Sequence, residues 1–405
     1  MKRIVLFVAL CPAAFGRTIR VANDAPSDFR TIQAAVDDAN DGDTVLVAPG
    51  TYTGDGNRDI EFKGKAITVK SEDGPETCII DCQGSENEPH RGFYFHSAED
   101  ANSILDGFSI HNGYVSDSGG GIFCSMAGPR IRGCVIAACA AVTGGGGIAA
   151  IRSDVLVDDC VIVGNRAGGY RERTGAGGGI MSYNDGGAAR PPVFTRCIIV
   201  GNQTKGGYGG GGVSLNGHAT FINCTICDNQ ALHPDQFGGG LFCGSAHADK
   251  AVLRNCIISG NASSSGRGSE ISVLGGAGIL GTMSVIMEHS LLGTDPNAIC
   301  DPMDHLHGCW SQADPAIGRI GYWDPNGTPE DPSDDLWVDG DYHLKSQAGR
   351  WDPESETWLQ DDVTSPCIDA GDPNSPIGYE PFPSGGIVNM GAYGGTVEAS
   401  KSYFG

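Results

Sequence analysis

Long apolar runs are missing from this chain. After the first sixteen residues no stretch approaches the ~18 consecutive apolar residues of a membrane span, which argues against one. Charge is scarce, at 19% of residues, and aromatics are scarcer, at 7%. Positive charge is scarcest: 26 Lys and Arg face 49 Asp and Glu, a formal net charge of −23. That sign repels phosphate backbones and anionic lipid, and so argues against nucleic acid as a partner. Signals for helices are nearly absent too. Glycine is abundant, at 63 of 405 residues, and it is patterned.

The pattern runs from residue 119 to residue 261. Each copy opens on glycines and an apolar residue: GGGIFC at 119–124, GGGGIAAI at 144–151, GGGIMS at 177–182, GGGGVSL at 209–215 and GGGLFC at 238–243. Each then reaches a short apolar run led by Cys134, Cys160, Cys197, Cys224 or Cys256. Four of the five runs end at an asparagine: Asn165, Asn202, Asn229 and Asn261. A period of roughly 25–35 residues marks a solenoid.

The apolar runs are too short for helices and rich in Val and Ile, so they read as strands. Glycine clusters break helices and permit bends with positive φ. Short strands joined by tight turns give an all-β chain, a right-handed parallel β-helix of about ten coils. No coil buries its apolar face alone; stacking at the usual strand separation of roughly 4.8 Å does so. Stacked asparagines can hydrogen-bond one to the next along the axis. The cysteines share one register and read as inward-facing, small apolar residues.

Residues 1–16 read as a secretory leader: Lys2 and Arg3, a short apolar core, then Ala13, Ala14 and Gly16. Fourteen of the 15 cysteines follow it, an even number that permits disulfides in an exported chain. Cys78/Cys82, Cys224/Cys227 and Cys300/Cys309 are local candidates; the five run-leading cysteines read as buried free thiols. No CxxC is followed by a second pair at zinc-ribbon spacing. Residues 31–40 (TIQAAVDDAN) read as an amphipathic helix, with Thr31 able to cap its start and Gly42 following its end. It is placed to cover the open end of the coils.

Residues 31–52 (TIQAAVDDANDGDTVLVAPGTY) resemble the N-terminal signature of bacterial proteins of the pectin-lyase-like β-helix superfamily, in which such a helix caps the barrel. The GGGI runs ending in Asn resemble, more loosely, the repeats of β-helical surface adhesins. From residue 294 glycine repeats stop, and residues 295–372 carry 18 Asp and Glu against 3 Lys and Arg. The segments GDYHLKS (340–346), SPCIDAGDP (365–373) and NMGAYGG (389–395) resemble a terminal module of secreted β-helix proteins, notably of planctomycete-type bacteria. The organisation expected is a leader at 1–16, the β-helix at 17–293, and an acidic module at 294–405 that closes the second open end or lies along the flank.

Two constellations could carry chemistry. Residues 166–176 (RAGGYRERTGA), 203–208 (QTKGGY) and 230–237 (QALHPDQF) are inserted at one phase of successive coils, and such insertions map to one side of a solenoid. That side would show Tyr170, Arg171, Arg173, Lys205, Tyr208, His233 and Phe237. Rings stack on sugars and Arg clamps carboxylates, which suits an extended polysaccharide or cell-surface glycan. Elimination from a uronate needs a base and a cation, for which Arg171, Arg173, Lys205 and His233 are the suitable groups. The site motifs that the resemblance leads one to seek are absent: no NTD, no paired-Asp strand with a GHG, no RIK. The second constellation is acidic. Asp324, Asn326, Asp331, Asp334 and Asp335 supply hard oxygen ligands in a turn-rich segment, as Ca2+ would take; a solvated acidic loop is the alternative. The expectation is a secreted or cell-surface monomer that binds polysaccharide along the inserted face. A polysaccharide lyase or hydrolase of unfamiliar type and a non-catalytic, adhesin-like surface protein are the alternatives.

Overall fold

The computed structural model describes residues 16–23, 26–168, 176–184, 190–206, 209–245, 249–275, 283–302, 304–327 and 336–403. Among them the strands assemble into parallel sheets of nineteen, eight and six strands. This is the right-handed parallel β-helix expected. One coil shows the circuit: Leu156–Asp158, a corner, Val161–Val163, a second corner, the two-residue strand Arg166–Ala167, then a glycine corner into Ile180–Tyr183. The next coil repeats it at Val193–Thr195, Ile198–Val200, Gln203–Thr204 and Val213–Asn216, each strand parallel to its predecessor. The nineteen-stranded sheet holds two such ladders. The first climbs from Thr18–Val21 to Leu306–Gln312, so coil pairing runs on past residue 293.

Alternation along each strand builds the core. The inward position of the second ladder reads Ile110, Ile136, Ile162, Ile199, Ile226 and Ile258 on successive coils, all fully buried. Like side chains in register fill the interior as a continuous stack. The corner between the two ladders holds a second column. Gly133, Asp159, Arg196, Asn223 and Asn255 all have φ between 51° and 57°, and each precedes a cysteine of the ladder. One left-handed residue per coil turns the chain sharply, at a steric cost to any residue with a Cβ.

Cys134, Cys160, Cys197, Cys224 and Cys256 are buried free thiols, as read from the sequence. The local disulfides are not formed: Cys78, Cys82, Cys224, Cys227, Cys300 and Cys309 are all free. The reason is plain for Cys224 and Cys227. Three apart on a strand, they face opposite sides: Cys224 joins the core, whereas Cys227 lies outside it beneath the C-terminal segment.

The short helix Ile32–Asp38 buries Ile32, Ala35 and Val36 against the first two coils. Thr31 occupies its N-cap position but makes no side-chain capping bond. The first N–H groups go elsewhere: Ile32 N donates to Asn57 Oδ1 at 3.0 Å and Gln33 N to Gly56 O at 2.8 Å. A neighbouring coil thus satisfies them. No helix among the described residues is long and apolar enough to cross a membrane.

Beyond the last coil the described residues form three antiparallel pairs, such as Ile317–Arg319 with Asp341–Leu344. It then returns along the solenoid. Tyr342, Leu344, Cys367, Ile368, Met390 and Ala392 pack on the outward residues of the second ladder, including Ile198, Val200, Cys227, Ile257 and Leu291. Strands such as Ile198–Val200 are therefore buried on both faces.

Candidate functional site

The outer face of the eight-stranded sheet carries a hollow. The glycine clusters position it. The first or second glycine of each cluster turns in the left-handed region, for example Gly145, Gly177 and Gly210 at φ 61°, 66° and 76°. The next glycine passes close to neighbouring coils: a Cβ on Gly178 would stand 2.4 Å from the carbonyl oxygens of both Gln203 and Gly211. Glycine is thus required for the corner to stack, and the following strand starts at a fixed height.

In each such strand the residue after the first apolar one points outward. Those positions are Tyr94, Phe123, Ala149, Met181, Ser214 and Phe242 on successive coils, in register. Two residues on, the outward row continues with His96, Ser125, Ile151, Tyr183, Asn216 and Gly244. At the N-terminal end the Tyr94 ring stacks on Phe123, with centroids 5.2 Å apart and planes 5° apart, and on His96 at 4.0 Å. The Arg91 guanidinium lies 5.0 Å from both ring centroids, held by Asp117 Oδ1 at 2.7 Å. His96 Nε2 lies 3.4 Å from Glu61 Oε1.

Farther along, small residues open a hollow of about 330 Å³ lined by Thr143, Ala176, Met181, Tyr183, Ser214, Asn216, Phe242 and Gly244. The Phe242 ring lies against Gly244, where an added Cβ would stand 2.9 Å from Cε1. Tyr183 is 41% exposed at the rim. The hollow offers an aromatic edge, a thioether, hydroxyls and an amide. Such a set can stack on a ring and exchange hydrogen bonds with its hydroxyls.

The three inserted segments do share one phase. All connect the six-stranded sheet to the eight-stranded one, and Ala176, at the end of the first, lines the hollow. Tyr170, Arg171, Arg173 and Tyr208 lie outside the described residues. Lys205 is half-buried, and its N–H donates to Ala167 O at 2.8 Å. Leu232 N donates to Thr204 O, so His233 falls one step beyond Lys205 on the next coil. His233 is engaged within its own loop: its Nδ1 accepts from Asp235 N at 3.2 Å, and its N–H donates to Gln236 Oε1 at 3.0 Å. Phe237 is half-buried, its carbonyl accepting from Gly210 N. None of these three lines the hollow.

Of the acidic set, Asp331, Asp334 and Asp335 lie outside the described residues. Asp324 Oδ1 accepts from Asn326 N at 2.9 Å, a local turn. No group of three or more His, Cys, Asp or Glu among the described residues is placed to hold a metal ion.

Sequence reasoning missed Arg91, Tyr94, His96, Phe123, Tyr183 and Phe242. The signal was the strict alternation after each glycine cluster, which sends the second residue of GGGIF, GGGIM and GGGLF outward.

A family model described as "Disaggregatase related" matches residues 326–371. No protein of curated function matches the chain. Among solved structures the chain is similar to pectate lyase Pel9A, at 15% identity over 94% of this chain and 96% of that one, with a TM-score of 0.49. It is also similar to an alginate lyase from Paenibacillus sp. str. FPU-7, at 16% identity over 73% and 95%, with a TM-score of 0.44. A carrot pectin methylesterase matches at 13% identity over 73% and 81%, with a TM-score of 0.36.

Proposed function

We propose that the outer face of the eight-stranded sheet binds an extended polysaccharide, in a protein exported by the leader at residues 1–16. One observation carries this reading. The exposed Tyr183 and the half-buried Tyr94 and Phe242 rise from an outward row whose middle members, Phe123 and Met181, are buried in a small apolar cluster, all in register along the coil axis beside a hollow with polar walls. Coils advance by about 4.8 Å, so the face presents binding groups at a regular repeat, as a linear polymer does. Rings that reach solvent over a small apolar cluster on the outside of a stacked sheet, apart from the coil core, favour a binding surface. The inserted residues Tyr170, Arg171, Lys205, Tyr208, His233 and Phe237 would form its rim.

Affinity electrophoresis through gels containing alginate, polygalacturonate or xylan tests this reading. At least one polymer should retard the full chain, and Phe242→Ala with Tyr183→Ala should remove most of that retardation while thermal unfolding stays close to that of the parent. Free migration through all three gels, or equal retardation of parent and variant, would overturn it.

A further inference from the structure

A second cavity, of about 710 Å³, lies at the corner between the first and second ladders. One wall is the left-handed column, at Asp159, Arg196 and Asn223; the floor is the outward Val161 and Ile198. The opposite wall is the returning chain, at residues 375–379 and 392–398. That wall is fixed in place. The Glu380 carboxylate accepts from Asn389 N at 2.7 Å and from Gly395 N at 2.9 Å, tying its two segments together. Asn223 Nδ2 donates to Asn389 O at 3.0 Å, and Ala392 N donates to Thr225 Oγ1 at 3.0 Å, tying both to the coils.

Arg196 is unusual in this column. It adopts φ 51°, a conformation that disfavours long side chains and that persists where the surroundings enforce it, often at a working site. Asp159 enforces it with two bonds, at 2.6 and 2.9 Å, and Asp158 with one at 2.7 Å. These engage Nε and Nη2, so Nη1 has no partner among the described residues. Glu398 stands on the opposite wall. Its Oε2 lies 3.4 Å from His343 Nε2, and its Oε1 has no partner among the described residues. Tyr379, 80% exposed, and Val397, 65% exposed, leave apolar surface open beside the same space.

A rigid apolar floor, one unpaired donor, one unpaired acceptor and an exposed ring therefore share one cavity of ligand size. Together they complement a sugar ring, with an apolar face to stack and hydroxyls that both donate and accept. Against the single Arg196 cation stand three carboxylates, Asp159 and Glu398 on the lining and Asp158 beside it, an excess that opposes a negatively charged guest. We infer that this cavity binds a neutral saccharide, the end or a short segment of an uncharged glycan. The site is separate from the outer sheet face and does not depend on that reading.

Isothermal titration of the full chain with cellotetraose, mannotetraose and xylotetraose tests the inference, with trigalacturonate as the anionic control. At least one neutral probe should bind. Tyr379→Ala should weaken it by roughly tenfold or more, a change of free energy that loss of one stacked ring supplies. Glu398→Gln should weaken it too. Tyr379 is so exposed that its truncation should not alter the thermal unfolding curve. The inference fails if no neutral probe binds at millimolar concentration, if trigalacturonate binds more tightly, or if Tyr379→Ala binds as the parent does.

Discussion

Asn261 Nδ2 donates to Glu270 Oε2 across 2.6 Å, and with that bond the asparagine ladder ends on a carboxyl group. Asn165, Asn202 and Asn229 each donate to the Oδ1 of the next asparagine, at 2.9–3.0 Å. Counting on from the pairing of Ile258 with Leu292, the following coil brings Asp295 to this phase, yet Asp295 is engaged by Ser269 Oγ. Glu270 reaches in from the glycine corner and accepts in its place.

Burial pushes the Glu270 carboxyl up to about 7, against hydrogen bonds from Asn261 and Gly260 that pull it down. Its folded value thus lies above the ordinary 4.5. The stability it contributes is present in full below about pH 4.5 and is lost as pH rises through about 7. Glu270→Gln keeps an acceptor without the titration. From about pH 4 to about pH 8, the wild type should lose on the order of 3 kcal/mol relative to this variant. Urea unfolding at a series of pH values measures the difference. A gap that stays constant with pH would mean that Glu270 is not a buried terminus of the ladder.

Within the ladder, Asn202 is fully buried and joins three partners. Its Oδ1 accepts from Asn165 N and Nδ2, and its Nδ2 donates to Ile162 O and Asn229 Oδ1. Asn202→Ala leaves several buried groups unpaired and should cost at least about 3 kcal/mol. Asn216→Ala, on the outer face of the same coil, should cost less than about 1 kcal/mol. Chemical denaturation of the two variants should separate them; equal costs would show that the ladder bonds add little.

How much of this was legible in the sequence follows from period. Register, the cysteine column and the asparagine ladder recur once per coil, and repetition at fixed phase declares itself without a structure. The same holds for the phase shared by the three inserted segments. What escaped was set by single residues. The outward face hides in one position after each glycine cluster, where Phe123, Ala149, Met181, Ser214 and Phe242 keep no single residue type. The flank packing was half visible: in Cys197-Ile-Ile-Val the apolar residues do not alternate with polar ones, as expected for a strand covered on both faces. Nothing local shows that the covering segment lies nearly two hundred residues away, at Met390 and Ala392. The Arg196 clamp was equally hidden, since its partners at Asp158 and Asp159 belong to the preceding coil.

Thiol reactivity should follow the same geometry. Cys78, Cys124, Cys160, Cys197, Cys224, Cys243 and Cys256 are buried, whereas Cys309 is exposed and Cys300 half-buried. Burial raises the thiols of Cys160, Cys197 and Cys224 well above the ordinary 9.0, which suppresses the reactive thiolate. Iodoacetamide should therefore label Cys309 first in the native protein and the core thiols only after unfolding, as followed by mass spectrometry. Rapid native labelling of Cys197 or Cys224 would contradict the inward column, and an oxidised Cys224–Cys227 pair would contradict their opposite facing.

One corner residue, Asn255, holds the returning C-terminal chain at several points. Asn255, fully buried at φ 54°, accepts from Asp372 N at 2.7 Å through Oδ1 and from Gly391 N at 2.8 Å through its carbonyl. Its Nδ2 donates to Asn223 Oδ1 at 3.2 Å and to Ser375 Oγ at 3.3 Å. Asn255→Ala removes the side-chain bonds and adds left-handed strain, for an expected loss of about 3 kcal/mol. Asn255→Gly removes the same bonds but tolerates the corner, so its loss should be smaller by about 1 kcal/mol. Because the coils keep their own core, the damage should concentrate in residues 367–395. Limited proteolysis should cut that segment faster in Asn255→Ala than in the parent, with Asn255→Gly between them. Equal protease resistance in all three proteins would show that the flank contact is held by apolar packing alone.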